Sequence, residues 1–417
     1  MIAPNVILFF NDNLESHMER TVISRRVLLL TAAIAVIGAN SLALSPIAAT
    51  VAASFPGRNA ADVVTAAALY GLATACSALL LASLSDRIGA EHALTRALLV
   101  LSASLGVAAF SPALWTLIVA QALAGLAAGV ALPAIYTLTA QVAEKGRESQ
   151  TLSFVLTGWT LSLVVGVGLA ALLADLLHWR AVFSLLALAA VGLALGISRC
   201  HDWGMRTVGE APSSTLKALR IPGIHSLLLN VAAYMTAFYG LYTYLGPHLG
   251  EVLQLPTSFA GLAIAVYGLG FGAAAPLGRL VDRYGATAAA GTTFAGLMLV
   301  YLGLMAAAAL PLVMLALCLA WGVANHLGLN LLMRQLAEID PVQRGAIMGL
   351  YSAITYLCVF VGALLYRPIF THFGFAACAW ASAMLVLPAL GWALGQWRRK
   401  QAELRCHSEH DKSAKEV

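Results

Sequence analysis

The chain has 417 residues, of which 60% are hydrophobic and only 10% charged, with a net charge of +5 and a mean hydropathy of +0.85. Soluble domains carry about 25% charged and about 45–50% apolar residues, so a soluble enzyme, a nucleic-acid binder and a disordered chain are all excluded. Too little charge is present to clothe a soluble body of this size, and the composition is that of a polytopic membrane protein.

Residues 1–17 are mixed in character, with Asn11, Asp12 and Glu15 after a short apolar stretch, and do not read as a cleavable signal. Met18 opens a more usual start, ahead of Arg25 and Arg26; the residues before it read as an over-called start or a loose tail. A spanning helix needs about 20 mostly apolar residues. Twelve are expected, at 27–53, 63–84, 95–111, 114–140, 151–174 and 181–198, then at 224–248, 258–281, 286–307, 312–332, 346–366 and 375–397. The expected fold class is all-α: a polytopic membrane protein with twelve transmembrane helices in two pseudo-symmetric six-helix bundles. A tail (1–26) precedes the first bundle (27–198). A polar linker (199–223), with Gly204, Gly209 and Pro212, separates it from the second (224–397), and a tail (398–417) follows.

The charges test the count. With both termini in the cytoplasm, only Arg58, Arg180 and Arg367 of the 24 Lys and Arg residues fall outside, as the positive-inside rule requires. One missed span would invert every later loop. The cysteines (Cys76, Cys200, Cys318, Cys358, Cys378 and Cys406) contain no CxxC pair and read as small apolar fillers, so no disulfide frame and no metal site are expected.

The halves repeat. Ser85-Asp86-Arg87-Ile88-Gly89 follows the second span, and Gly278-Arg279-Leu280-Val281-Asp282-Arg283-Tyr284-Gly285 follows the eighth. The Asp-Arg pairs lie 196 residues apart; Arg147 and Arg344, which open spans five and eleven, lie 197 apart. Parallel repeats of this kind are a transporter architecture, with the solute site near mid-bilayer between the halves. Twelve spans with a G-x-L-x-D-R-x-G loop after the second span of each half resemble the major facilitator superfamily over about 27–397. The second copy is complete; in the first, Ala82 replaces the leading glycine. The resemblance implies a cytoplasmic latch formed by Asp86, Arg87 and Gly89 with Gly278, Asp282, Arg283 and Gly285. In it Asp86 would meet the start of span eleven and Asp282 the start of span five, a carboxylate at a helix N-terminus in each case.

Span five carries Gly158 and Gly166 at the two leading glycines of the G-x7-G-V-P-x-G of bacterial drug/proton antiporters and sugar exporters of that family, with Gly168 at the proline position and Ala170 at the last glycine, and Trp179-Arg180 with Phe183 resembles their W-R-x-x-F. The proline is missing, and close helix packing alone also calls for such glycines. In span four, Gln121 precedes Gly125 where the antiporters often have an arginine.

No Asp or Glu lies deep in an expected span, and of ten histidines only His326 falls near mid-span. Intramembrane polar groups are costly and mark function. The resemblance implies a cavity lined by spans one, four, seven and ten. There the candidate lining residues are Asn40 and Ser41, Gln121 and Tyr136, Asn230 and Tyr234, and Trp321, Asn325, His326 and Asn330, with Trp159 from span five; His326 is the candidate proton site. A nearly uncharged, aromatic, hydrogen-bonding lining suits a small neutral or weakly polar organic solute such as a drug, sugar or nucleoside-like metabolite. The expectation is a monomeric, proton-coupled secondary exporter working by alternating access in a bacterial inner membrane, with both termini cytoplasmic. It would need no cofactor or metal, catalyse no reaction and bind no nucleic acid. An uptake permease of the same fold and a transporter-like sensor are the alternatives.

Overall fold

Ser24 opens the first span: its hydroxyl accepts the Val27 amide at 3.4 Å, and α1 runs Arg25–Ala52. Arg25 and Arg26, expected in the tail, therefore occupy its first turn. The structure, a computed structural model, describes residues 24–81, 88–144, 147–200, 203, 215–277, 286–340 and 343–413. After α1 the chain turns and restarts at Asn59. The Asn59 and Asp62 side chains accept each other's backbone amides (2.9 and 3.2 Å), a reciprocal cap at the head of α2, Ala60–Leu80. The first half is completed by α3 (Ala90–Ala109), α4 (Leu114–Val142), α5 (Gln150–Leu176) and α6 (Trp179–Ser198). The second begins with α7 (Ile224–Val252), α8 (Thr257–Leu277), α9 (Ala286–Ala306) and α10 (Pro311–Ile339).

The last helical run, Arg344–Ser413, holds 70 residues. At 1.5 Å per residue that is about 105 Å, far more than the ~30 Å of a bilayer core. It breaks at Gly374, whose φ of +79° a side-chain-bearing residue resists, into α11 (344–373) and α12 (375–413). No loop separates them, and α12 continues past the expected end at 397 because residues 398–405 include the helix formers Arg398, Arg399, Lys400, Gln401, Ala402, Glu403 and Leu404. Among the described residues this makes twelve membrane-length helices. An even number puts the start of α1 and the end of α12 on one side, called here the termini end; the opposite side is the far end.

The duplication is visible in the packing. Gly125 of α4 lies so close to α2 that a Cβ there would overlap the Tyr70 carbonyl; Gly322 of α10 stands in the same relation to the Tyr267 carbonyl of α8. Both glycines and both tyrosines are displaced by 197 residues. Close backbone approach of this kind is how helices pack where lipid gives no hydrophobic drive. Gly158 of α5 likewise packs against the Thr31 carbonyl of α1. Just beyond it α5 contains a π-helical turn, Ser162–Val167, and α7 ends in another, His248–Val252. Turns of this type concentrate at functional sites.

The Trp179-Arg180…Phe183 motif proves to be an anchor. The Trp179 indole donates to Ser54 Oγ at 2.8 Å, its ring meets Phe55 and Phe183, and the Arg180 guanidinium lies 4.4 Å from the Trp179 ring centroid while donating to the Ser111 carbonyl at 2.9 Å. It ties the far ends of α1, α3 and α6 into one body. Beside it, His178 accepts the Arg180 amide through Nδ1 at 3.2 Å; desolvation first and the nearby Arg180 second hold the His178 pKa below the ordinary histidine value.

Candidate functional site

Pro46 lies inside α1 and has no N–H, so the Leu42 carbonyl one turn earlier loses its helical donor. The missing donor comes from the other half: the Tyr242 hydroxyl of α7 reaches Leu42 O at 3.1 Å. One turn on, Ser45 Oγ donates to the Tyr242 carbonyl at 2.7 Å, and these two residues are themselves 197 apart, on the axis that relates the halves. Gly246 then presses on the Ser45 carbonyl, leaving no room for a Cβ. The α1–α7 crossing is thus a backbone-to-backbone seam that only these residues permit.

Further contacts close the far end. Thr50 and Thr257 share a hydrogen bond of 2.5 Å. The Asp175 carboxylate, at the end of α5, accepts the amides of Thr257 (3.0 Å) and Ser258 (2.5 Å), so a residue of one half caps the first turn of α8 in the other. In the opposite sense Glu251 of α7 accepts the Ala60 amide at 2.6 Å and caps α2. Arg367 of α11 pairs with Asp62. Helix N-termini favour carboxylates through free N–H groups and the helix dipole. The cross-half hydrogen bonds of the described residues gather at this end. Towards the termini end, a shallow recess of about 420 Å³ is lined by Gln150, Ser153, Phe154 and Thr157 of α5, and Asn330 of α10 is exposed.

At mid-membrane the seam is aromatic. The Tyr70 ring (α2) meets the Tyr356 ring (α11) edge-on at 6.5 Å. The Tyr356 phenol is within electrostatic reach of those of Tyr70, Tyr136, Tyr239 and Tyr351, which come from α2, α4, α7 and α11. Among the described residues, the Asp, Glu, Lys and Arg side chains lie towards helix ends or in loops, so Tyr70, Tyr239 and Tyr356, which lie near the middle of their helices, have no ionic neighbour at their own depth.

The residues singled out in the sequence divide into two sets. One set is bonded within its own half. Asn40 and Gln121 face each other across α1 and α4 with reciprocal amide bonds of 3.1 and 3.2 Å, both fully buried. Tyr234 donates to Asn325 Oδ1 (2.5 Å), Asn325 donates to the Tyr267 hydroxyl (2.7 Å), and the Trp321 indole donates to Tyr301 (3.3 Å) inside the second bundle. Asn230 is buried on α7 near the termini end. The other set lies outside these networks. Ser41 approaches Tyr70, Trp159 approaches Tyr136, and His326 packs its ring on the edge of Phe271 at 4.7 Å with a buried Nδ1 that has no partner.

Of the latch, Gly89 heads α3 with φ of +88°; Asp86, Arg87, Gly278, Asp282, Arg283 and Gly285 lie outside the described residues. Among the described residues no three His, Cys, Asp or Glu side chains come close enough to hold a metal. Sequence reasoning missed Tyr70, Tyr351, Thr355 and Tyr356, and the capping roles of Asp175 and Glu251. The one signal for Tyr70 was its repeat as Tyr267 beside the repeated Gly125 and Gly322.

Comparison with known proteins places this geometry in a family. The model of the Major Facilitator Superfamily matches residues 28–363 and again 227–412. The uncharacterized MFS-type transporter YwfA of Bacillus subtilis (strain 168) is 26% identical over 381 residues, covering 90% of this chain and 92% of that protein. A crystal structure of a D-xylose-proton symporter has a TM-score of 0.72 at 16% identity, over 89% of this chain and 96% of its own. A peptide transporter POT variant in complex with sulfate reaches 0.69 at 14% identity, over 89% and 94%. At such identities the solved structures share the fold alone.

Proposed function

The chain belongs to the Major Facilitator Superfamily, a family of multi-pass membrane transporters and not of enzymes, and from that premise we propose that it exports a small neutral or weakly polar organic solute by alternating access, driven by protons. One observation carries the reading. The two bundles meet on a mid-membrane group of phenols without charge, and the hydrogen bonds that join them gather at one end, where a tilt of one half against the other would break them together. A solute held among uncharged hydroxyl and aromatic groups would itself be uncharged or nearly so, since an ion there would lack a counter-charge.

The termini end, where the Lys and Arg residues gather, faces the cytoplasm of a bacterial inner membrane in this reading, so the structure is the inward-facing state with its outer end shut. Asp86, Arg87, Gly89, Gly278, Asp282, Arg283 and Gly285 hold the inner end shut in the opposite state. His326 takes the coupling proton: it sits at mid-span with an unpartnered ring nitrogen. The working unit is a single chain.

The test is solute flux by the purified protein in proteoliposomes under an imposed pH gradient, with everted vesicles fixing the direction. Expected is accumulation in everted vesicles that collapses with the gradient and is abolished by His326→Ala. Flux indifferent to the pH gradient removes proton coupling; uptake only into right-side-out vesicles removes export. Normal flux by Asp282→Asn removes the latch.

A further inference from the structure

Of the buried polar side-chain atoms without a hydrogen-bond partner among the described residues, three are hydroxyls at mid-membrane on α2 and α11. Tyr70 and Tyr356 are 1% and 4% exposed, and their hydroxyls, with that of Thr355, are buried without a hydrogen-bond partner. Thr74 and Ser41 approach Tyr70, and Tyr351 approaches Thr355, without completing a hydrogen bond to either hydroxyl. Other buried phenols in the same bundles are satisfied: Tyr234 by Asn325, Tyr244 by the Ala363 carbonyl, Tyr366 by Ser382. Burying an unsatisfied hydroxyl is unfavourable, and interiors rarely leave several together unless something else occupies the remaining bonds.

Their placement says what that is. Tyr70 comes from α2 in the first half, Thr355 and Tyr356 from α11 in the second, and the two rings are in contact. The helices approach so closely beside them that a Cβ at Gly71 would overlap the Val359 side chain. The Tyr70 and Tyr356 hydroxyls therefore sit on the surface along which the halves must part, Thr355 directly precedes Tyr356 on α11, and the phenols of Tyr136, Tyr239 and Tyr351 lie within electrostatic reach of Tyr356.

We propose that Tyr70, Thr355 and Tyr356 form a hydrogen-bonding subsite for one neutral polar group of the transported solute, a hydroxyl or a carbonyl, which bridges α2 and α11. This rests on the transport reading and deepens it. Each hydroxyl both donates and accepts, so the three together satisfy a hydroxyl or a carbonyl oxygen but offer no counter-charge to an ion. A group held from both sides is bound tightly only while the two sides are close, so the solute itself draws the halves together around it. The subsite thereby makes occupancy and closure one event.

The experiment measures binding by the purified full chain in nanodiscs with named probes: D-xylose, thymidine and chloramphenicol as neutral hydroxylated compounds, benzoate and tetraphenylphosphonium as ions. Expected is saturable binding of at least one neutral probe and of neither ion. Tyr70→Phe, Thr355→Val and Tyr356→Phe should each weaken that binding about five- to thirty-fold, with melting temperature in the absence of probe unchanged or raised. Tyr366→Phe, which removes a satisfied phenol remote from the subsite, should leave affinity unchanged. Binding of no neutral probe, preference for an ion, or equal affinity in all three subsite variants overturns the proposal; in the last case the hydroxyls hold buried water. Neutral-probe binding that weakens in the variants but is accompanied by no flux in proteoliposomes leaves the subsite standing and sinks the transport reading instead.

Discussion

Replacing Tyr242 by Phe should open the far end, and the size of the effect follows from Pro46. In the closed state the Leu42 carbonyl has one donor, the Tyr242 hydroxyl at 3.1 Å, because residue 46 of α1 cannot supply its own. Tyr242→Phe leaves that carbonyl buried and unsatisfied at a cost of ~1–3 kcal/mol. The penalty falls on the closed seam and not on the open one, where water can reach the carbonyl. At ~1–2 kcal/mol the closed-to-open ratio drops about 5- to 30-fold. Spin labels at Arg58→Cys and Leu310→Cys, exposed far-end positions in opposite halves, would report the shift as a longer distance distribution. Pro46→Ala restores an N–H at position 46, so Leu42 regains a helical partner, and Tyr242→Phe in that background should have less than half its effect. Contacting residues coupled in this way show interaction energies of ~0.5–3 kcal/mol. If the two substitutions are additive within ~0.5 kcal/mol, the proline-to-tyrosine reasoning is wrong.

The far-end caps make a second test with the same labels: Asp175→Ala should favour the open state by ~1 kcal/mol, and Asp175→Asn, which keeps one acceptor oxygen for the two amides of Thr257 and Ser258, should shift it in the same direction by less. Gly246→Ala would place a methyl group on the Ser45 carbonyl and should hold the far end apart with the fold intact, seen as a long label distance in a protein of normal elution volume. Asn40→Leu or Gln121→Leu alone strands one buried amide and should destabilise by ~1–3 kcal/mol, read as a lower Tm in detergent; the double replacement should recover most of the loss, and failure to recover would mean the pair does more than satisfy itself.

How much of this was legible beforehand depends on the range over which each feature is written. Spans, their direction and the duplication are local or periodic, and residues such as Asp282 and Gly285 carry the family likeness on their face. Pro46 was visible as a helix irregularity, but the partner of its orphaned carbonyl sits 200 residues away and nothing near it announces the bond. Asn40 and Gln121 were each read as cavity-lining because a polar residue in an apolar helix asks for a partner; a single sequence does not show that they find each other. Asp175 and Glu251 looked like ordinary loop acids, since a cap donated by one half to a helix of the other leaves no mark at either site. Tyr70 and Tyr356 lie on α2 and α11, outside the four spans that the family resemblance assigns to the cavity, although Tyr70 repeats as Tyr267 beside the repeated glycines.

The Asn40–Gln121 clasp has one more consequence. Neither amide titrates, and neither responds to ionic strength as a salt bridge would. This contact in the middle of the first bundle is therefore insensitive to pH, and in the proposed alternating-access cycle the bundle would tilt as a passive lever. Whatever force tilts the lever has to be applied elsewhere, at its rim or by its partner, and substituting a charged residue at Gln121 would turn the arm itself into part of the motor.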